Sequence, residues 1–193
     1  MTDLCRQSKV EPGKILVAPF LDVCRKLLEM TNAFGTAFSP VRKDISRNIS
    51  IVEATQGYKN NPSVDMFTMV LADVATNGAG DGQCACSLLW LKRAMEFLVQ
   101  LMANMMGDRS LSMNKAFSES YDKTLKPFHG RAVQWLIYGV TKVLPSREFC
   151  EKEFGGGEDV YTPGTEFVDT FAPVLKELDT WLRANGLNDE KRA

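Results

Sequence analysis

Apolar residues in this chain recur three and four positions apart through every long segment, and nowhere alternate over the length of a strand. That spacing predicts helices with one buried face. Over about residues 15–33, Val17, Phe20, Leu21, Cys24, Leu27 and Leu28 fall on one stripe, with Gly35 as the stop. Pro19 sits in the first turn, where its missing N–H costs little. Ser39-Pro40 reads as an N-cap followed by proline at the first helical position. The helix it opens runs to about Thr55, with Val41, Ile45, Ile49 and Val52 inward. After the Asn61-Pro62-Ser63 turn, a shorter helix covers about residues 63–75, and the glycine-rich run to Gly82 is a loop. Over about residues 84–106, apolar side chains appear on nearly every side, as in a helix at the centre of a fold. Helices over about 113–125 and 129–144 follow, separated at Pro127, then a short piece from Pro145-Ser146-Arg147. Gly155-Gly156-Gly157 opens a loop, and an amphipathic helix covers about 165–184, with a kink expected at Pro173.

The prediction is an all-α fold of about eight helices forming a single domain over residues 1–193. The polar start with Pro12-Gly13 makes residues 1–13 the segment expected to be flexible. Lys+Arg 23 against Asp+Glu 24 leaves a formal charge of −1, so no basic field advertises nucleic acid. Nine Met and eleven Phe suit an ordinary core, and equally an adaptable apolar cavity. The five cysteines are odd in number and scattered, which argues against a disulfide framework. Cys84-Ala85-Cys86 lacks the spacing of a structural zinc site, and a single histidine cannot complete the usual ligand sets, so no metal or cofactor is expected. The N-terminus carries no apolar signal core, and no run of about 18 apolar residues could span a bilayer. The expected location is cytoplasmic. Without a signal peptide, the Asn48-Ile49-Ser50 sequon reads as accidental.

Three polar groups punctuate the apolar helices. Asp44 and Asn48 are one turn apart at the edge of the Ile45, Ile49 and Val52 stripe. A carboxylate beside an amide suits sugar hydroxyls or a lipid amide. Spacing alone equally describes a solvated face among Arg42, Lys43 and Arg47. Trp90 is either core or a stacking platform for the C–H face of a sugar, and the adjoining Lys92 and Arg93 read as a solvent-facing edge or as auxiliary ligands. His129, the only histidine, follows Pro127 at an expected helix start. It is either a structural residue, a hydrogen-bond donor to a carbonyl, or a general base. No Gly-x-Ser-x-Gly accompanies it, and the Gly78–Gly82 loop lacks the Gly-Lys-Ser/Thr of a phosphate loop, so an enzyme is not expected.

In this order and spacing, Phe20-Leu21-Asp22-Val23-Cys24, Phe34-Gly35, Asp44 through Ile49, Leu88 through Met95, and Tyr121 through Gly130 resemble the glycolipid transfer protein family over nearly the whole chain. The resemblance implies a two-layer all-helical sandwich that carries one sphingolipid between membranes without ATP or metal. It implies that Asp44 holds the ceramide amide and a sugar hydroxyl, Asn48 reads the sugar, Trp90 stacks beneath it and His129 donates to the ceramide carbonyl. Relatives that carry ceramide-1-phosphate have cations at the positions of Asn48, Trp90 and Cys86, and phosphate needs cations. The implied ligand is therefore a glycosphingolipid such as glucosyl- or galactosylceramide, taken up by a monomer in transient contact with a membrane surface. The chain departs from the family pattern at Ile51, where a lysine is common, and at Arg131, where a tryptophan follows His-Gly. The alternative function is a ceramide or ceramide-1-phosphate sensor acting through protein partners.

Overall fold

The computed structural model describes residues 1–155 and 159–190. Ten α-helices and one small hairpin are present among them. Eight helices correspond to those expected: α2 (Val17–Met30), α3 (Ser39–Glu53), α5 (Met66–Asn77), α6 (Cys84–Gly107), α7 (Met113–Lys123), α8 (Arg131–Thr141), α9 (Arg147–Gly155) and α10 (Tyr161–Ala184). The two additional ones are short: α1 (Thr2–Ser8) and α4 (Gln56–Asn60).

α1 lies within the segment expected to be flexible. Seven polar-rich residues are too few to form a stable helix in isolation. Tertiary contacts hold this one: Cys5 and Ser8 are fully buried, and α1 packs on α2 and α10. The chain then turns through strands β1 (Lys9–Glu11) and β2 (Lys14–Ile15), pinned to α10 where the Gly13 N–H donates to Glu177 at 2.7 Å and Lys9 pairs with the same carboxylate at 2.6 Å.

Several boundaries differ from the expected ones for local reasons. Ser39 does not cap α3; a 3₁₀ turn over Thr36–Phe38 feeds straight into the helix, and Ser39 lies already inside it. Thr55 instead caps α4, its hydroxyl accepting from the Tyr58 N–H at 3.3 Å. α5 starts three residues later than expected, and Asp65 caps it by accepting from the Thr68 N–H at 2.9 Å. α10 begins four residues before Thr165 and continues through Pro173. The loop expected at Gly155-Gly156-Gly157 falls, at Gly156 and Gly157, outside the described residues.

α6 is the central element, as its all-round apolar surface requires. It packs against α10, α3, α7, α5 and α2, and its buried side chains run from Cys84 to Met105. α10 approaches it closely at Gly164, where a Cβ would lie 2.6 Å from the Met106 Sδ. At the far end, buried Arg147 ties α9 to α6 by donating to the carbonyls of Met105, Asp108 and Leu111, satisfying acceptors that a helix C-terminus leaves open.

Candidate functional site

A cavity of about 630 Å³ opens between α3, α6, α7 and α8. That volume lies within the range of roughly 300–1,000 Å³ common to small-molecule sites. Its lining divides by chemistry. Phe38, Val41, Leu89, Phe97, Phe117 and Ile137 contribute apolar wall, while Asp44, Asn48, Trp90, Arg93 and His129 contribute polar groups.

Helical periodicity brings the first pair together. Asp44 and Asn48 are successive turns of α3, and the Asn48 Nδ2 donates to the Asp44 Oδ2 at 3.2 Å. Asn48 is only 5% exposed, whereas Asp44 stays open to solvent. Crowding by protein pushes the Asp44 carboxyl above its ordinary pKa, partly countered by Arg47 and by the Asn48 hydrogen bond. Asn48 spends one amide hydrogen on Asp44, leaving its carbonyl oxygen and second hydrogen for a ligand.

Trp90 is half-buried on α6, and its ring lies nearly parallel to the His129 imidazole, with centroids 6.0 Å apart and planes inclined by 21°. His129 is not at the start of a helix. It bridges, in extended conformation, a 3₁₀ turn over Lys126–Phe128 and α8, whose own cap is Gly130. Its carbonyl is held by the Gln134 side chain at 2.8 Å, and its Nδ1 lies 3.1 Å from the Tyr121 hydroxyl. Burial, assisted by the Arg93 charge, lowers the His129 pKa and so favours the neutral ring. Burial drives the Tyr121 phenol up to about 12, keeping its proton in place.

Lys92 and Arg93 are neighbours in sequence with opposite destinations, and neither lies on a solvent-facing edge. Lys92, 2% exposed, points to α10, pairing with Asp179 at 2.5 Å and Glu96 at 3.0 Å, away from the cavity. Arg93, 1% exposed, lines the cavity, its guanidinium 4.9 Å from the Trp90 ring centre and 3.7 Å from that of Phe128. Tyr121 and Phe128, which orient His129 and Arg93, were not singled out as site residues by sequence reasoning. Their only signal is that two aromatics precede the histidine, one of them directly, which core residues would share. Among the described residues, no three His, Cys, Asp or Glu side chains gather as metal ligands.

A second groove of about 530 Å³ lies between α7 and α8, bordered by Lys126, Arg131, Gln134, Trp135 and Tyr138. It shares Tyr121 and Ile137 with the first. Beside it α8 turns apolar side chains outward: Trp135 is 74% exposed, and Leu136 and Tyr138 are exposed with it, as is Val143 just past the helix end.

Fold and cavity together define an all-helical sandwich enclosing one amphipathic pocket. The family model for glycolipid transfer protein matches residues 15–155, and the chain belongs to that family. Its members are lipid transfer proteins, not enzymes. Glycolipid transfer protein 1 of Arabidopsis thaliana is 32% identical over 186 residues, covering 95% of this chain and 91% of the relative. In structure, the chain is similar to one described under "How FAPP2 Selects Simple Glycosphingolipids Using the GLTP-fold", with a TM-score of 0.86, 24% identity, and 95% and 92% of the two chains covered. It is similar also to mouse ceramide-1-phosphate transfer protein, with a TM-score of 0.85, 18% identity, and 97% and 96% covered. These two likenesses establish the shared two-layer helical fold.

Proposed function

We propose that this protein binds one neutral glycosphingolipid, such as glucosyl- or galactosylceramide, and carries it between membranes. The observation that carries the reading is the set of polar groups around one apolar cavity: the Asp44–Asn48 pair, the Trp90 ring and the His129 imidazole. A sugar presents hydroxyls to a carboxylate and an amide, and C–H faces to an indole. A phenol donating to Nδ1 would leave the His129 proton on Nε2, a donor suited to the ceramide carbonyl.

A phosphate head group fits this set less well. Two guanidiniums border the cavity, but Arg47 lies in the field of Asp44, and Arg93 is stacked between two rings and hydrogen-bonded to the chain's own C-terminal segment. The Asp44 carboxylate would also repel phosphate. Chain burial contributes affinity at about 0.8 kcal/mol per methylene without discriminating head groups. Discrimination then falls to the polar set, since an unmatched buried donor or acceptor costs about 1–3 kcal/mol.

The exposed apolar face of α8 supports transient docking on a bilayer. Trp135 and Tyr138 meet edge to face at 6.2 Å, Lys142 lies over the Tyr138 ring, and Leu136 belongs both to this face and to the cavity lining. Among the described residues no helix is long and apolar enough to cross a membrane. Native mass spectrometry of the purified protein tests the ligand: a co-purifying hexosylceramide is expected, and ceramide-1-phosphate or a phosphoglyceride in its place would overturn the reading.

A further inference from the structure

We propose that the C-terminal segment 187–190 is a gate that limits head-group size, latched across the polar side of the cavity by Arg93. The inference rests on the glycosphingolipid reading and extends it to which glycolipids are admitted.

The direction of this segment is built in. α10 ends in a Schellman-type turn: the Leu187 N–H reaches back to the Leu182 carbonyl at 2.8 Å, and the Gly186 N–H to that of Arg183 at 3.1 Å. Gly186 carries φ +68°, a left-handed conformation that strains a side-chain-bearing residue. Leu187 then packs against the hydrophobic core, which anchors the chain one residue before the segment reaches Arg93.

Arg93 Nη2 donates to the Asn188 Oδ1 at 3.2 Å and to the Asp189 carbonyl at 2.5 Å. The same guanidinium is packed against Trp90 and Phe128, so the ring assigned to the sugar and the segment are fixed to one rigid group. Asp189 lines the cavity together with Asp81 and Gly82 from the loop before α6. These residues form a lip beside the stacking ring. A first sugar stacked on Trp90 has its edge toward acceptors on this lip, and further sugars would have to displace it. Specificity by exclusion of larger competitors needs such a fixed obstacle, not only good contacts to the smaller ligand.

The test compares equilibrium binding of glucosylceramide and a trihexosylceramide. It uses the full chain, a chain ending at Leu187, Asn188→Ala, which removes one latch contact, and Asp44→Val as a control. Circular dichroism checks that each folds. The full chain should favour glucosylceramide, and truncation should raise the trihexosylceramide-to-glucosylceramide affinity ratio about tenfold, with a smaller rise for Asn188→Ala. An unchanged ratio in both variants, whether both affinities persist or fall together, would overturn the gate. Failure of the glycosphingolipid reading looks different: the full chain would bind neither lipid, or Asp44→Val would leave both affinities intact.

Discussion

The Tyr121 hydroxyl and the His129 Nδ1 lie 3.1 Å apart, one on α7 and the other on the extended link into α8. The phenol keeps its proton and burial favours the neutral imidazole; in the tautomer whose Nδ1 accepts from the phenol, the ring proton sits on Nε2, facing a ligand. Tyr121→Phe removes that constraint while preserving ring volume. Glucosylceramide affinity should fall about 3- to 10-fold, the size of one hydrogen bond, with little change in melting temperature. Calorimetric titration of the variant measures it.

The lowered His129 pKa has a definite sign in stability. The unfolded histidine, with pKa about 6.5, takes up a proton that the folded one resists. The contribution of neutral His129 is therefore present above about pH 6.5 and is lost as pH falls below it toward the folded pKa. Asp44, whose pKa is raised, works in the opposite direction, since its cost to the folded state grows as pH rises through its folded pKa. Thermal melts between pH 7.5 and 5 should show a steeper loss for the native chain than for His129→Asn, and the difference between the two isolates the histidine.

Lys92 and Arg93 should separate cleanly on mutation. Lys92→Met breaks a nearly inaccessible ammonium away from Asp179 and Glu96, both of which retain some solvent contact. A loss of about 1–3 kcal/mol in denaturant-measured stability is expected, below the figure for fully buried pairs. Lipid affinity measured on the folded variant should be unchanged, since Lys92 faces α10.

Trp135→Ala should weaken partitioning onto vesicles by about tenfold, because most of a large ring that is free to bury in the bilayer interface is removed. Binding of a short-chain, water-dispersed glucosylceramide should be unaffected. Sedimentation with vesicles and titration in solution distinguish the two effects.

Much of the fold was legible because helical periodicity and burial agree over α2 and α3, where every residue of each expected stripe except Val41 and Leu28 is buried. α1 was not, because its stability comes from Cys5 and Ser8 packing on helices distant in sequence. The Asp44–Asn48 pair was readable from a four-residue spacing on one helix face. The fates of Lys92 and Arg93 were not: on a helix apolar all round, position in sequence does not say which neighbour a residue will face. Arg93 and Asn188 are 95 residues apart, and only the folded chain brings them together.

Transfer of fluorescent glucosylceramide and of fluorescent ceramide-1-phosphate between donor and acceptor vesicles, for the native chain and Asp44→Val, tests the central claim most directly. Rapid transfer of glucosylceramide, little of ceramide-1-phosphate, and loss of glucosylceramide transfer in the variant are expected. Preferential transfer of ceramide-1-phosphate by the native chain, or undiminished glucosylceramide transfer by Asp44→Val, would contradict it.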